Sequence, residues 1–291
     1  PWCKDYGMFE MMALTGPLNT EREARASSFR RSNEISEAYH YKTVLDEYDT
    51  TFEVAPTMRC ASFQITYPET TNAYLLFPEQ EKGSADVFAS ERKITGRVLN
   101  GRVNQGMIYF CAIFDKPFAA SGTDQGMAYA RFETAQGEIV SMKVGTSWIS
   151  EEQAEQNIRQ EIGADDFETV KAKARAIWNT ELSKVEVEGG SEEEQTIFYS
   201  CLYRGLCFPK TMWEEVDGVA TYRSPYDLDL YEGKTWGGNG IWDTFRSVWP
   251  FFTIMYPEFT GEMLDGWVHS YEEGGWTVKW SGPGYRDSMI G

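Results

Sequence analysis

The sequence predicts a two-domain β + α chain, an antiparallel β-sandwich followed by a set of α-helices. Three observations carry this. Residues 41–146 read as short runs of alternating apolar and polar side chains, broken by glycines. At residue 150 the apolar period lengthens to four, and Ser-x-x-Gln and Ser-x-x-Glu capping signals open helices. The length, 291 residues, is about two average domains and too long for one comfortable core.

The strands come first. Phe63, Ile65 and Tyr67 alternate with Gln64 and Thr66, the mark of a half-buried strand. Ile108, Phe110, Ala112 and Phe114 repeat the pattern on one face. Tyr74-Leu75-Leu76-Phe77 runs up to Pro78, and Val87-Phe88 opens another strand. Turn signals fall at Gly101, Gly106, Gly122, Gly126 and Gly137.

Helices follow. Ser150-Glu151-Glu152-Gln153 reads as a capping box, with Ala154, Ile158 and Ile162 on one face and Gly163 as the stop. Asp165 with Glu168 caps the next helix, whose stripe is Phe167, Val170, Ala174, Ile177, Trp178 and Leu182. Ser191-Glu192-Glu193-Glu194 opens a third, carrying Ile197, Phe198, Cys201 and Leu202. After a loop of roughly 30 residues a helix starts near Trp242, with Phe245 and Trp249, and Pro250 kinks or ends it. A last helix spans about 262–271, with Met263, Leu264, Trp267 and Tyr271 on one face. Helices joined by long aromatic loops suggest a toroid with its site at the loop rim.

Composition narrows the function classes. The net charge is −18 and no basic stripe interrupts it, which argues against nucleic-acid binding. Aromatic residues reach 15%, far too many for disorder. No stretch approaches the ~20 consecutive apolar residues that span a bilayer. Five scattered cysteines lack any metal spacing, so free buried thiols are the reading. The chain starts at Pro1-Trp2-Cys3 and stops at Ser288-Met289-Ile290-Gly291, and both ends read as cut from something longer.

The densest chemistry lies in Trp236-Gly237-Gly238-Asn239-Gly240-Ile241-Trp242-Asp243-Thr244-Phe245-Arg246. Glycines admit a ligand to the backbone, Trp242 offers a stacking face, and Asp243 offers two acceptors to vicinal hydroxyls. Arg246, three residues on, shares a helix face and a hydrogen bond with Asp243. The competing reading is a plain helix start in which Asp243 caps and Arg246 pairs with it, and spacing alone slightly favours that. Gly274-Gly275-Trp276-Thr277-Val278-Lys279-Trp280 is a second aromatic loop, of the kind found at sugar sites and at barrel ends alike. His40 and His269 have no nucleophile motif near them, and His269 reads as a packed helix residue. Asp227 and Asp229 read as polar loop residues, with calcium the lesser option.

The block Trp242-Asp243-Thr244-Phe245-Arg246, followed by Pro250, Tyr256-Pro257-Glu258 and Gly274-Gly275-Trp276, resembles glycoside hydrolase family 92. Val185-Glu186-Val187-Glu188-Gly189-Gly190, Gly145-Thr146-Ser147 and Pro1-Trp2-Cys3 extend the likeness along the chain. The resemblance implies a calcium-dependent, inverting exo-α-mannosidase acting on mannose-containing glycans. It implies a sandwich over 1–147, lacking its first strands, a helical linker over 148–190, and the start of an (α/α)6 catalytic barrel over 191–291. Catalytic acid, base and calcium ligands match no position here and are expected from the remainder of the same polypeptide. Trp242, Asp243 and Arg246 match the block that lines the mannose subsite. Export to the periplasm or outside the cell is the corresponding expectation. Two alternatives stand beside this: another (α/α)6 glycosidase or lyase, and a non-catalytic carbohydrate-binding protein.

Overall fold

The computed structural model describes residues 10–77, 83–99, 106–124, 126–238 and 241–277. Readings that rest on Pro1-Trp2-Cys3, Pro78, Gly101, Asn239-Gly240 and Lys279-Trp280 lie outside those residues. The chain forms two compact units, the first built from residues up to 99 and 108–181, the second from 106–107 and 182 onward.

The first unit holds β1 (Met12–Thr15), β2 (Ile35–Glu37), β3 (His40–Leu45), β4 (Thr50–Pro56), β5 (Cys60–Tyr67), β6 (Thr70–Phe77), β7 (Ser84–Phe88), β8 (Lys93–Leu99), β9 (Met107–Phe114), β10 (Ala120–Asp124), β11 (Met127–Thr134) and β12 (Glu138–Ser147). They make a four-stranded sheet, β1-β6-β11-β10, and an eight-stranded sheet, β2-β3-β4-β5-β12-β9-β8-β7. Pairing is antiparallel, with Phe63 opposite Met142 and Ile65 opposite Val140. Strand structure begins upstream of the run that starts at residue 41. β1 escapes the alternation test because both its faces are buried, Ala13 in the core and Leu14 on the opposite side.

Between the sheets lies the main core: Phe63, Ile65 and Tyr67 of β5, Leu75 and Phe77 of β6, Phe110 and Phe114 of β9, and Phe132 of β11. The positions on β5 and β9 alternate as the sequence pattern requires, while Phe132 lies on a strand that pattern did not single out; each full burial contributes about 1.5–3 kcal/mol. Tyr67 is buried whole, and its hydroxyl donates to the Tyr74 carbonyl at 2.8 Å, so no polar atom is stranded there.

The outer face of the large sheet is covered by α1 (Glu151–Glu161) and α2 (Phe167–Leu182). Ala154, Ile158 and Ile162 of α1 and Phe167 and Val170 of α2 pack with Cys60 and Cys111 of the sheet. The Ser150 hydroxyl accepts the Gln153 N–H at 3.1 Å, but the return arm of the anticipated box is missing. The Gln153 amide instead donates to the buried Asn157 side chain at 2.9 Å, and Asn157 donates to the Thr146 carbonyl at 2.9 Å. Burial of Asn157 demands those partners. Asp166, not Asp165, caps α2 by accepting the Thr169 N–H at 2.8 Å, while Asp165 pairs with Lys173. Ile177 stands 64% exposed, so the buried stripe of α2 stops at Ala174.

α1 comes so close to β12 that a Cβ on Gly145 would lie 2.2 Å from the Ala154 carbonyl oxygen. Glu161, at the last turn, accepts from the Arg59 N–H at 2.9 Å and the Arg59 guanidinium at 3.0 Å. These groups hold the helix at that depth.

The second unit opens with α3 (Glu192–Leu206). Its capping box is complete: Ser191 Oγ accepts the Glu194 N–H at 3.2 Å, and Glu194 Oε2 accepts the Ser191 N–H at 2.7 Å. The stretch read as a long loop is largely β structure. It contains β13 (Lys210–Thr211), β14 (Trp213–Val216), β15 (Val219–Arg223), β16 (Leu230–Glu232) and β17 (Trp236–Gly237), in a three-stranded sheet, β14-β15-β16, and a two-stranded one, β13-β17. Asp217 and Gly218, at φ 51° and 83°, make the two-residue hairpin turn between β14 and β15.

Helices α4 (Ile241–Thr244), α5 (Val248–Met255) and α6 (Pro257–Gly274) follow. The helix anticipated from Trp242 through Trp249 is two helices, broken at residues 245–247. Pro250 neither kinks nor ends α5. It occupies the third position of the first turn, where its missing N–H would have had no helical partner anyway. α6 begins five residues before 262, with Pro257 at its first position. Its buried residues are Thr260, Met263, Gly266 and Ser270, while Leu264 and Tyr271 are about half exposed.

Two outcomes follow. Gly145→Ala is expected to destabilise the protein by about 1–3 kcal/mol, because the α1 backbone must move to admit a methyl; a thermal melt within error of wild type would refute the close-approach argument. Burial pushes the Cys111 thiol up to about 12 and the Cys60 thiol higher still. The thiolate is the reactive form, so both stay unlabelled by iodoacetamide near neutral pH until the protein is denatured, as read by peptide mass spectrometry.

Candidate functional site

An aromatic nucleus anchors both ends of the segment that carries the candidate residues. Trp236 is 4% exposed, meets Phe259 edge to face at 5.6 Å, and accepts the Trp267 indole N–H on its carbonyl at 3.4 Å. Downstream, Trp249 contacts Trp267 at 5.4 Å and Phe252 at 6.0 Å, and Phe252 contacts Phe259 at 5.9 Å. Gly266 makes this possible. A Cβ there would lie 2.5 Å from the Lys234 carbonyl oxygen, so glycine lets the backbone of Lys234 and Thr235, just before β17, run close against α6.

Out of this nucleus the chain presents α4, a single turn. Trp242 is 46% exposed and Phe245 51%. Asp243 lies in the first turn of α4 and is exposed. Among the described residues no hydrogen bond or ion pair engages its carboxylate. Asp243 therefore does not act as the helix cap, since it sits inside the turn rather than before it. The anticipated bond between Asp243 and Arg246 is not formed either. α4 ends at Thr244, so Arg246 has left the helix, and its guanidinium lies 5.1 Å from the centre of the Phe245 ring. Trp242, Asp243, Phe245 and Arg246 are all exposed, and the one contact among their side chains is that of Arg246 with the Phe245 ring; aromatic faces, carboxylates and guanidiniums are the side-chain types that stack on sugar rings and hold their hydroxyls.

The second aromatic loop begins at the end of α6. Gly275 closes the helix at φ 72°, donating its N–H to the Tyr271 carbonyl at 2.7 Å. Trp276 follows, 73% exposed. The hairpin β15–β16 meets this end of the helix through side chains that spacing alone did not single out. The Tyr222 hydroxyl bonds to the Glu273 carboxylate, and the Tyr226 hydroxyl donates to the Trp276 carbonyl at 2.5 Å. Tyr222 is 1% exposed, and burial with the adjacent Glu273 pushes its phenol far up.

Other candidates resolve into structure. Asp227 accepts the Asp229 N–H at 2.9 Å and the Tyr231 hydroxyl at 2.8 Å, a local turn that holds its carboxylate below the usual range despite some desolvation. His40 is buried against Glu53 at 3.0 Å within the first unit. His269 is exposed on α6 and is not the packed residue its neighbours Trp267 and Tyr271 suggested, because the buried face runs through Gly266 and Ser270. Among the described residues no three His, Cys, Asp or Glu side chains converge as a metal site would require.

A β-sandwich is followed here by helices that expose aromatic side chains and a carboxylate, residue types that carbohydrate-active proteins use to bind sugars. The sequence matches the N-terminal domain of glycosyl hydrolase family 92 over residues 1–147 and the catalytic domain of that family over residues 153–291. The chain belongs to glycosyl hydrolase family 92. Its fold is similar to that of a family GH92 inverting mannosidase from Bacteroides thetaiotaomicron, at 32% identity and a TM-score of 0.94, covering 100% of this chain and 42% of that one. A family GH92 alpha-mannosidase from the same organism, solved in complex with mannoimidazole, shares the fold at 23% identity and a TM-score of 0.86, over 99% of this chain and 42% of that one. An uncharacterized secreted glycosidase of Arthroderma benhamiae is 31% identical over 107 residues, 33% of this chain and 14% of that protein. The chain thus spans less than half the length of these relatives.

Proposed function

We propose that the chain is part of an exo-acting α-mannosidase that releases terminal mannose from glycans with inversion of configuration. The observation that carries this is the 32% identity, over the whole chain, to an inverting mannosidase of the same family. The proposal divides the chain into a sandwich over 1–147, a linker over 148–190, and the first helices of an (α/α)6 barrel from 191. The exported location expected of the family belongs to the same reading.

Inversion requires two carboxyl groups about 6.5–9.5 Å apart, one protonating the leaving oxygen and one activating a water on the opposite face. In this reading both come from the remainder of the polypeptide. What this chain contributes is grip. Asp243 accepts two sugar hydroxyls, Trp242 presents its ring to the apolar face of the mannose, and Arg246 adds a donor at the rim. Holding the ring at its non-reacting edge keeps the anomeric carbon aligned with water and acid, so binding energy lowers the barrier as well as KM. Calcium enters through the family likeness alone; a hard cation would bind sugar hydroxyls when present, and no step here is built on it.

Two measurements test this reading. Asp243→Asn in the full-length enzyme keeps the shape and removes charge-assisted bonds worth ~1.5–3 kcal/mol each, so kcat/KM should fall by roughly one to two decades per bond with the melting temperature unchanged. Near-normal kinetics would remove Asp243 from the subsite. Exhaustive dialysis against a chelator should abolish activity and calcium should restore it; activity that survives chelation would separate this enzyme from the calcium-dependent reading.

A further inference from the structure

We draw no further inference here: the strongest candidate, the pair of carboxylates Asp227 and Glu273 at the stacked Tyr231 and Tyr222 rings where the β15–β16 hairpin meets the end of α6, is an acidic cluster whose hydrogen bonds tie hairpin to helix, with Glu273 only partly buried and, among the described residues, no second observation that points to a ligand.

Discussion

Helix α1 meets the large sheet backbone to backbone, and the organisation of the first unit depends on that contact. With a methyl at position 145 the Ala154 carbonyl would be 2.2 Å away, so the helix sits at a depth that only glycine permits. At that depth Ile158 and Ile162 reach the sheet face that carries Cys60 and Cys111, and Phe167 and Val170 of α2 close the same layer. The polar groups agree with it. Asn157 reaches the Thr146 carbonyl, and Glu161 reaches the Arg59 N–H, only when the helix is this close. A helix lifted by a methyl would strand several buried polar atoms at once, which is costlier than the lost dispersion contacts.

The second unit repeats the device with different parts. Gly266 lets Lys234–Trp236 press against α6, and the Trp267 indole then bonds the Trp236 carbonyl. Edge-to-face contacts among Trp236, Trp249, Phe252, Phe259 and Trp267 make a stiff base from large residues with few torsions. On that base the single turn of α4 has no packing duty of its own. Trp242, Phe245 and Asp243 are exposed, with Arg246 lying over the Phe245 ring. A hairpin clasps the end of α6 through the Tyr222–Glu273 and Tyr226–Trp276 bonds.

Such an arrangement suits a neutral, hydroxylated ligand. In the proposed function the net charge of −18 neither attracts nor orients a sugar, and recognition falls to flat faces and hydrogen bonds. In the proposed mannosidase that rigidity would serve an inverting displacement, in which water and acid must both stay aligned with one carbon.

By itself the sequence determined the order of the two structural regimes and much of the core. Period-2 runs such as Phe63, Ile65 and Tyr67, and the four-residue spacing of Ala154, Ile158 and Ile162, are local patterns that burial on one face imposes directly. The Ser191 capping box was equally legible, because both its hydrogen bonds close within four residues. The Asp217-Gly218 turn was there to be read between Val216 and Val219, but short strands rich in charge hid the hairpin around it. Only the tertiary structure decided the rest. It placed Pro250 inside a helix, released Arg246 from Asp243 to the Phe245 ring, turned α6 so that small residues face inward, and joined Tyr226 to Trp276 across 50 residues. These outcomes depend on how closely one backbone approaches another, and that distance is set by partners far apart in the chain, beyond the reach of any local periodicity.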